Sequence, residues 1–137
     1  MSRIIRPAFW AAFILICALI ISRFQPVTLT VLTDGRCIVF WHAQTRCPPC
    51  LKLENAVEES LGSDDRYKLF KLEYDVPANH KLASEMNVGT TTAVLAEVRD
   101  GKIVRKKNLT EPIWKLLDKD DAELVQMLRR ELNDFAQ

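Results

Sequence analysis

Cys47-Pro-Pro-Cys50 is the stretch in which residue types and spacing could do chemistry. It follows an apolar run that ends in Phe40-Trp41 and precedes a stretch with helical periodicity. This places Cys47 at or near a helix N-cap, with Pro48 at the first helical position, a site that proline tolerates. The N-terminal end of a helix favours negative charge, so a Cys47 thiolate is stabilised there. Arg46, directly before it, adds a positive charge. Neither Pro48 nor Pro49 has an N–H to offer, so the thiolate relies on amides from Cys50 onward, and its pKa is lowered without becoming extreme. Cys50 lies within the same turn, close enough for the two sulfurs to bond. So small a loop gains little chain-entropy stability from a crosslink, which makes a purely structural staple a poor use of the pair. Reversible exchange is the better use: Cys47 attacks a disulfide, and Cys50 resolves the mixed disulfide. Zinc asks for about four ligands, and one C-x-x-C supplies two, with His42 on the preceding strand and His80 far along the chain. Copper(I), which two thiolates can hold, stays open.

The elements around the pair follow from periodicity. Cys37 to His42 (CIVFWH) is nearly continuous apolar and reads as a strand buried on both faces. Leu53, Val57 and Leu61 repeat at helical spacing after the pair, and Gly62 closes that helix. Tyr67 to Tyr74 reads as a strand, and Asn79 to Met86 as a short helix with Asn79 as N-cap. Thr92 to Val98 is a strand, Arg99-Asp100-Gly101 a tight turn, and Lys102 to Lys107 the hairpin partner. A helix from Asp121 to Phe135 carries Leu124, Leu128, Leu132 and Phe135 on one stripe, with aspartates at its start. Val27 to Leu32 alternates and is β-branched, which adds a strand before the Thr33–Gly35 turn. The order β-β-α-β-α-β-β-α demands a parallel first part and an antiparallel late hairpin.

The first 26 residues are different material. Arg3 and Arg6 precede a sixteen-residue uncharged run, Pro7 to Ser22, and Arg23 closes it. No small-residue cleavage pattern ends the run, and Ile16 before Cys17 is too bulky for a lipoprotein processing site. The reading is an uncleaved, single-pass membrane anchor over 1–26, with Ile4, Ile5 and Phe24 lengthening the apolar zone while arginines snorkel. The excess of arginine ahead of the span puts the N-terminus in the cytoplasm and a domain over 27–137 outside, in the periplasm or its equivalent. That compartment permits oxidised thiol pairs.

The whole chain has 137 residues and a formal net charge of +1. Beyond residue 26 there are 16 of the 19 basic residues and all 18 acidic ones, which gives no electrostatic footprint for nucleic acid. Cys37 reads as a core thiol and Cys17 as an apolar filler. Trp41 reads as core or site wall and Trp114, in TEPIWKLL, as packing for a short helix. His42 reads as a residue ending a strand at the surface. Asn108-Leu109-Thr110 is a glycosylation triplet expected by chance. Lys106-Lys107 and Arg129-Arg130 read as solvated faces.

Together IVFW…CPPC, then KLEYDVPANHKLASEMNV, then VLAEVRDGKIV resemble the thioredoxin superfamily, and more specifically its membrane-anchored periplasmic thioredoxin-like proteins. The resemblance covers Val27 to the C-terminus, with Asp75, Leu82 and Val88 in the family's places after the middle strand. It implies an α/β fold, a central mixed sheet flanked by helices, preceded here by one transmembrane helix. It implies a thiol–disulfide oxidoreductase with Cys47 and Cys50 as the catalytic, redox-active pair, and no metal or cofactor. Its substrates would be protein thiols and disulfides outside the cytoplasm, served as a reductant, with a membrane or periplasmic redox partner. Arg46, Pro48, Pro49, Thr91 and Thr92 would tune the site.

The departures from the family pattern lie around the same pair. Arg46 stands where an aromatic usually precedes the first cysteine, and the connection from Trp41 to Cys47 is longer than usual. Val39 stands where a buried aspartate is common, which leaves Glu54, His42 and water as proton acceptors for Cys50. Thr91-Thr92 stands where the family has a cis-proline, and a trans peptide is expected there because a cis bond without proline costs ~2.5–4 kcal/mol. These departures support an alternative, a thioredoxin-like binding module that handles copper or serves as a client or assembly scaffold.

Overall fold

The computed structural model describes residues 32–137. The expected anchor over 1–26 and Cys17 lie outside the described residues, as does the expected strand over 27–32 apart from Leu32, which is buried. Among the described residues no helix is long and apolar enough to cross a membrane.

Strand β1, Gly35–His42, is the centre of the molecule. Ile38, Val39, Phe40 and Trp41 are all fully buried, as an unbroken apolar run requires when both faces of a sheet are covered. Helix α1, Pro48–Leu61, carries the chain back so that β2, Tyr67–Glu73, lies parallel to β1. A single 3-10 turn, Pro77–Asn79, leads into α2, His80–Glu85. Strand β3, Thr92–Arg99, runs antiparallel to β1, and β4, Lys102–Asn108, antiparallel to β3. Helices α3, Thr110–Leu116, and α4, Asp121–Ala136, complete the chain. The strand order is β2-β1-β3-β4, a mixed sheet flanked by helices, as the resemblance implies.

The pleat divides the core in two. Ile38 and Phe40 face α1, α3 and α4, where they meet Leu53, Val57, Ile113 and Leu128. Cys37, Val39 and Trp41 face the opposite side, against Ala83 and Met86 around α2. Trp41 is thus core rather than site wall. Cys37 is a free, fully buried thiol, and burial pushes its pKa up to about 11.

Local signals hold where the chain supplies its own partners. Gly62 ends α1 at φ 51°, with its N–H on the Glu58 carbonyl. Asp120 caps α4, its carboxylate accepting from Ala122 N at 2.8 Å. Asp100 (φ 52°) and Gly101 (φ 70°) make the β3–β4 turn in the left-handed region, as a two-residue hairpin loop requires. The Asp34 carboxylate accepts from both of their amides, at 3.1 and 3.0 Å. Asn79 stands at the N-cap of α2 but does not cap it; its Nδ2 donates instead to the Glu73 carbonyl at 2.9 Å. The Lys-Lys and Arg-Arg pairs are exposed, as expected, and three of the four side chains find partners: Lys107 pairs with Glu131, Lys106 donates to the Glu85 carbonyl, and Arg129 donates to the Glu59 carbonyl.

Candidate active site

Strand β1 ends at His42, and α1 begins six residues later at Pro48, so the sheet delivers the cysteines to its own C-terminal edge. Cys47 is the N-cap of α1, with extended backbone (φ −107°, ψ 159°), and Pro48 and Pro49 open the helix. Leu51 N–H donates to the Cys47 carbonyl at 3.1 Å and closes the first turn. The first amide proton after Cys47 is that of Cys50, since neither proline carries one.

The two cysteines are disulfide-bonded, with Cα atoms 5.1 Å apart. They differ sharply in environment: Cys47 is exposed, whereas Cys50 is only 4% exposed. An incoming sulfur can reach Cys47 and not Cys50. The Cys47 side chain makes no capping hydrogen bond to the helix.

Antiparallel pairing sets Trp41 opposite Thr92, so the residue just before β3 lies beside the end of β1. Thr91, 6% exposed, places its hydroxyl 3.3 Å from Cys50 Sγ. Every peptide bond among the described residues is trans, including that between Thr91 and Thr92. Thr92 was expected beside Thr91 at the site, but its hydroxyl turns the other way and lies 2.9 Å from that of Thr110. Successive side chains of an extended chain point to opposite faces, so only one threonine can serve the sulfurs.

Arg46 is placed differently from expectation. Its Nη1 pairs with Glu54 Oε2 rather than reaching for Cys47, and its Nη2 lies 3.4 Å from His42 Nε2. Glu54 is shared: Lys71 Nζ lies 2.8 Å from its other oxygen and also pairs with Glu58. His42, expected at the surface, is 5% exposed beneath this network. Its Nδ1 lies 2.9 Å from the Ala43 carbonyl, which can only accept. The proton therefore sits on Nδ1, and Nε2 accepts from Arg46. Both ring nitrogens are engaged. Glu54, expected as a proton acceptor for Cys50, is tied to two cations, Arg46 and Lys71.

The loop between β1 and α1 has a second tether that the sequence reading did not assign. Gln44 N–H is shared between the two oxygens of Asp75, at 3.1 and 3.2 Å. The 31-residue separation hides this contact from any local pattern. Glu54 was readable as a neighbour of the pair, because it falls four residues after Cys50 on the same helix face.

Among the described residues no group of three or more His, Cys, Asp and Glu is placed to hold a metal ion. Only when the disulfide is reduced does the site offer a soft ligand two thiols, one of them buried.

No protein-family model matches the chain. No curated protein matches it either. Solved structures do resemble it in fold. Trxlp from Edwardsiella tarda EIB202 is 16% identical, with 78% of this chain and 91% of that one covered at a TM-score of 0.44. Mitochondrial thioredoxin 3 from Saccharomyces cerevisiae, in its oxidized form, is 18% identical over 69% and 84% of the two chains, at 0.42. Fasciola hepatica thioredoxin is 21% identical over 61% and 77%, at 0.40. At such values the fold of the present chain rests on its own strand order and directions.

Proposed function

We propose that the chain is a thiol–disulfide oxidoreductase that reduces protein disulfides outside the cytoplasm. Residues 1–26 tether it to the outer face of the cytoplasmic membrane, with the N-terminus inside. A membrane or periplasmic redox partner returns it to the dithiol form. The observation that carries this reading is the asymmetry of the pair: an exposed Cys47 at a helix tip, bonded to a buried Cys50 one turn in.

The chemistry follows from that asymmetry. In the dithiol form the Cys47 thiolate attacks a substrate disulfide. One substrate sulfur leaves as a thiolate and takes up a proton, while the other stays bonded to Cys47. Cys50 then loses its proton and attacks Cys47 Sγ, which releases the second substrate thiol and restores the 47–50 bond. Two electrons pass from the protein to the substrate. Buried Cys50 resolves and cannot initiate.

The reducing direction is supported by what the site lacks. A strongly oxidising site stabilises its reduced form. Here two prolines remove two amides from the helix tip, and Arg46 is engaged with Glu54. The Cys47 thiolate has few donors, so the disulfide is comparatively favoured. The basic start and apolar run before residue 26 support the membrane placement.

Insulin reduction by the dithiol form tests the reading. The wild type accelerates precipitation of the insulin chains, and Cys47→Ser does not. A wild type no faster than Cys47→Ser would leave a binding module, with copper(I) or a protein client as cargo.

A further inference from the structure

We propose that Glu54 competes with the Cys47 thiolate for the Arg46 guanidinium, and so sets how strongly Arg46 stabilises the nucleophile. Arg46 is the residue next to Cys47, yet its guanidinium is committed to Glu54 in the disulfide form. In that form Cys47 carries no charge to attract it. Reduction by a dithiol, itself oxidised to a disulfide, leaves one thiolate and one thiol on the protein and releases one proton. A negative charge then arises one residue from Arg46, and two anions contend for one cation.

The surroundings make the exchange affordable for the fold. Moving a cation away from a half-buried carboxylate is costly when nothing replaces it. Glu54, with its side chain 12% exposed, keeps Lys71 Nζ at 2.8 Å on its other oxygen. Lys71, which also pairs with Glu58, therefore keeps the Glu54 carboxylate paired after Arg46 departs. On the strand side, His42 Nε2 lies 3.4 Å from Arg46 Nη2 and can hold the guanidinium near the cysteines. Glu73 lies opposite His42 on β2, and the oxygens of Asp75 are taken up by the Gln44 amide. Neither makes a pair with Arg46. Glu54 is thus a positioning residue: it acts on the nucleophile through Arg46.

The test is a double-mutant cycle read by thiolate absorbance near 240 nm in the reduced protein, which requires only that the disulfide can be opened. Glu54→Gln frees Arg46 and raises the Cys47 thiolate-to-thiol ratio at a given pH by about tenfold. Arg46→Met lowers the ratio. In the Arg46→Met background, Glu54→Gln changes it little. An equal rise in both backgrounds would show that Glu54 acts directly on the sulfur and overturn the proposal, as would no rise in either. Should the Gln variant not fold, Glu54→Asp withdraws the carboxylate from Arg46 and moves the ratio the same way by less. The proposal builds on the redox reading of the pair, but the two fail separately. A chain that shows this coupling and does not reduce insulin loses the enzyme reading alone.

Discussion

Cys50 Sγ and Thr91 Oγ1 lie 3.3 Å apart, across 41 residues of sequence. This contact joins the active-site helix to the start of β3 and gives the buried sulfur a hydroxyl partner. When Cys50 must become a thiolate, that hydroxyl can donate to it.

Thr91→Val keeps the shape and removes the donor. A hydrogen bond to a charged group is worth about 1.5–3 kcal/mol, so resolution of the mixed disulfide slows by at least about tenfold. Attack by Cys47 is unaffected. Stopped-flow measurement of the two phases separates the steps; a Val variant that resolves at the wild-type rate would remove Thr91 from the mechanism.

Pro49→Ala restores an amide at the second helical position, where an N-cap side chain finds a donor. Cys47 makes no capping bond in the present structure. The variant gains a donor for the thiolate, which lowers the Cys47 pKa and shifts the dithiol–disulfide equilibrium toward the dithiol form. Titration of thiolate absorbance and equilibrium with glutathione both report it, and an unchanged titration would contradict the role assigned to the prolines.

Asp75→Ala frees the loop between β1 and α1, because both carboxylate oxygens serve the Gln44 amide. Deuterium exchange at Gln44 accelerates, while the amides of β1 stay protected. Global stability falls by only about 1 kcal/mol, since the lost bond is solvent-exposed. Protection at Gln44 that survives the substitution would show that the tether is not what orders the loop.

Cys37 makes stability depend on alkaline pH. Its folded-state pKa is raised from 9.0 to about 11 by burial, so the folded chain keeps a proton that the unfolded chain loses. The contribution is intact below pH 9 and declines as pH rises from about 9 to 11 by at most about 3 kcal/mol. Tyr67, raised by the same cause, titrates in the same sense. Urea midpoints of wild type and Cys37→Ala across that interval isolate the thiol: the wild type loses more. Parallel curves would show that Cys37 ionises without cost in the fold.

What could be read in the sequence was local. The run from Cys37 to Trp41 specified a strand buried on both faces because its own residues are apolar throughout. The proline pair and the stripe from Leu53 to Leu61 placed both cysteines in the first turn of a helix, and Asp100-Gly101 specified its turn through φ alone. What escaped were pairings made across the sheet. His42 reads as a surface residue until Arg46 and Glu54 close over it. Arg46 reads as a cation beside a thiolate until Glu54 takes it. Thr91 and Thr92 read alike until the pleat turns one to Cys50 and the other to Thr110. Asn79 reads as a cap until the Glu73 carbonyl claims its amide. Each depends on a partner that sequence proximity does not reveal.

The division of labour between the two sulfurs is measured most directly by covalent trapping. Reduced Cys50→Ser and reduced Cys47→Ser are each mixed with a protein disulfide, and the adducts are resolved by mass without reductant. The account predicts a mixed disulfide through Cys47 in the first and none in the second, with Cys37 silent in both. Adducts in neither variant, or in both equally, would contradict it.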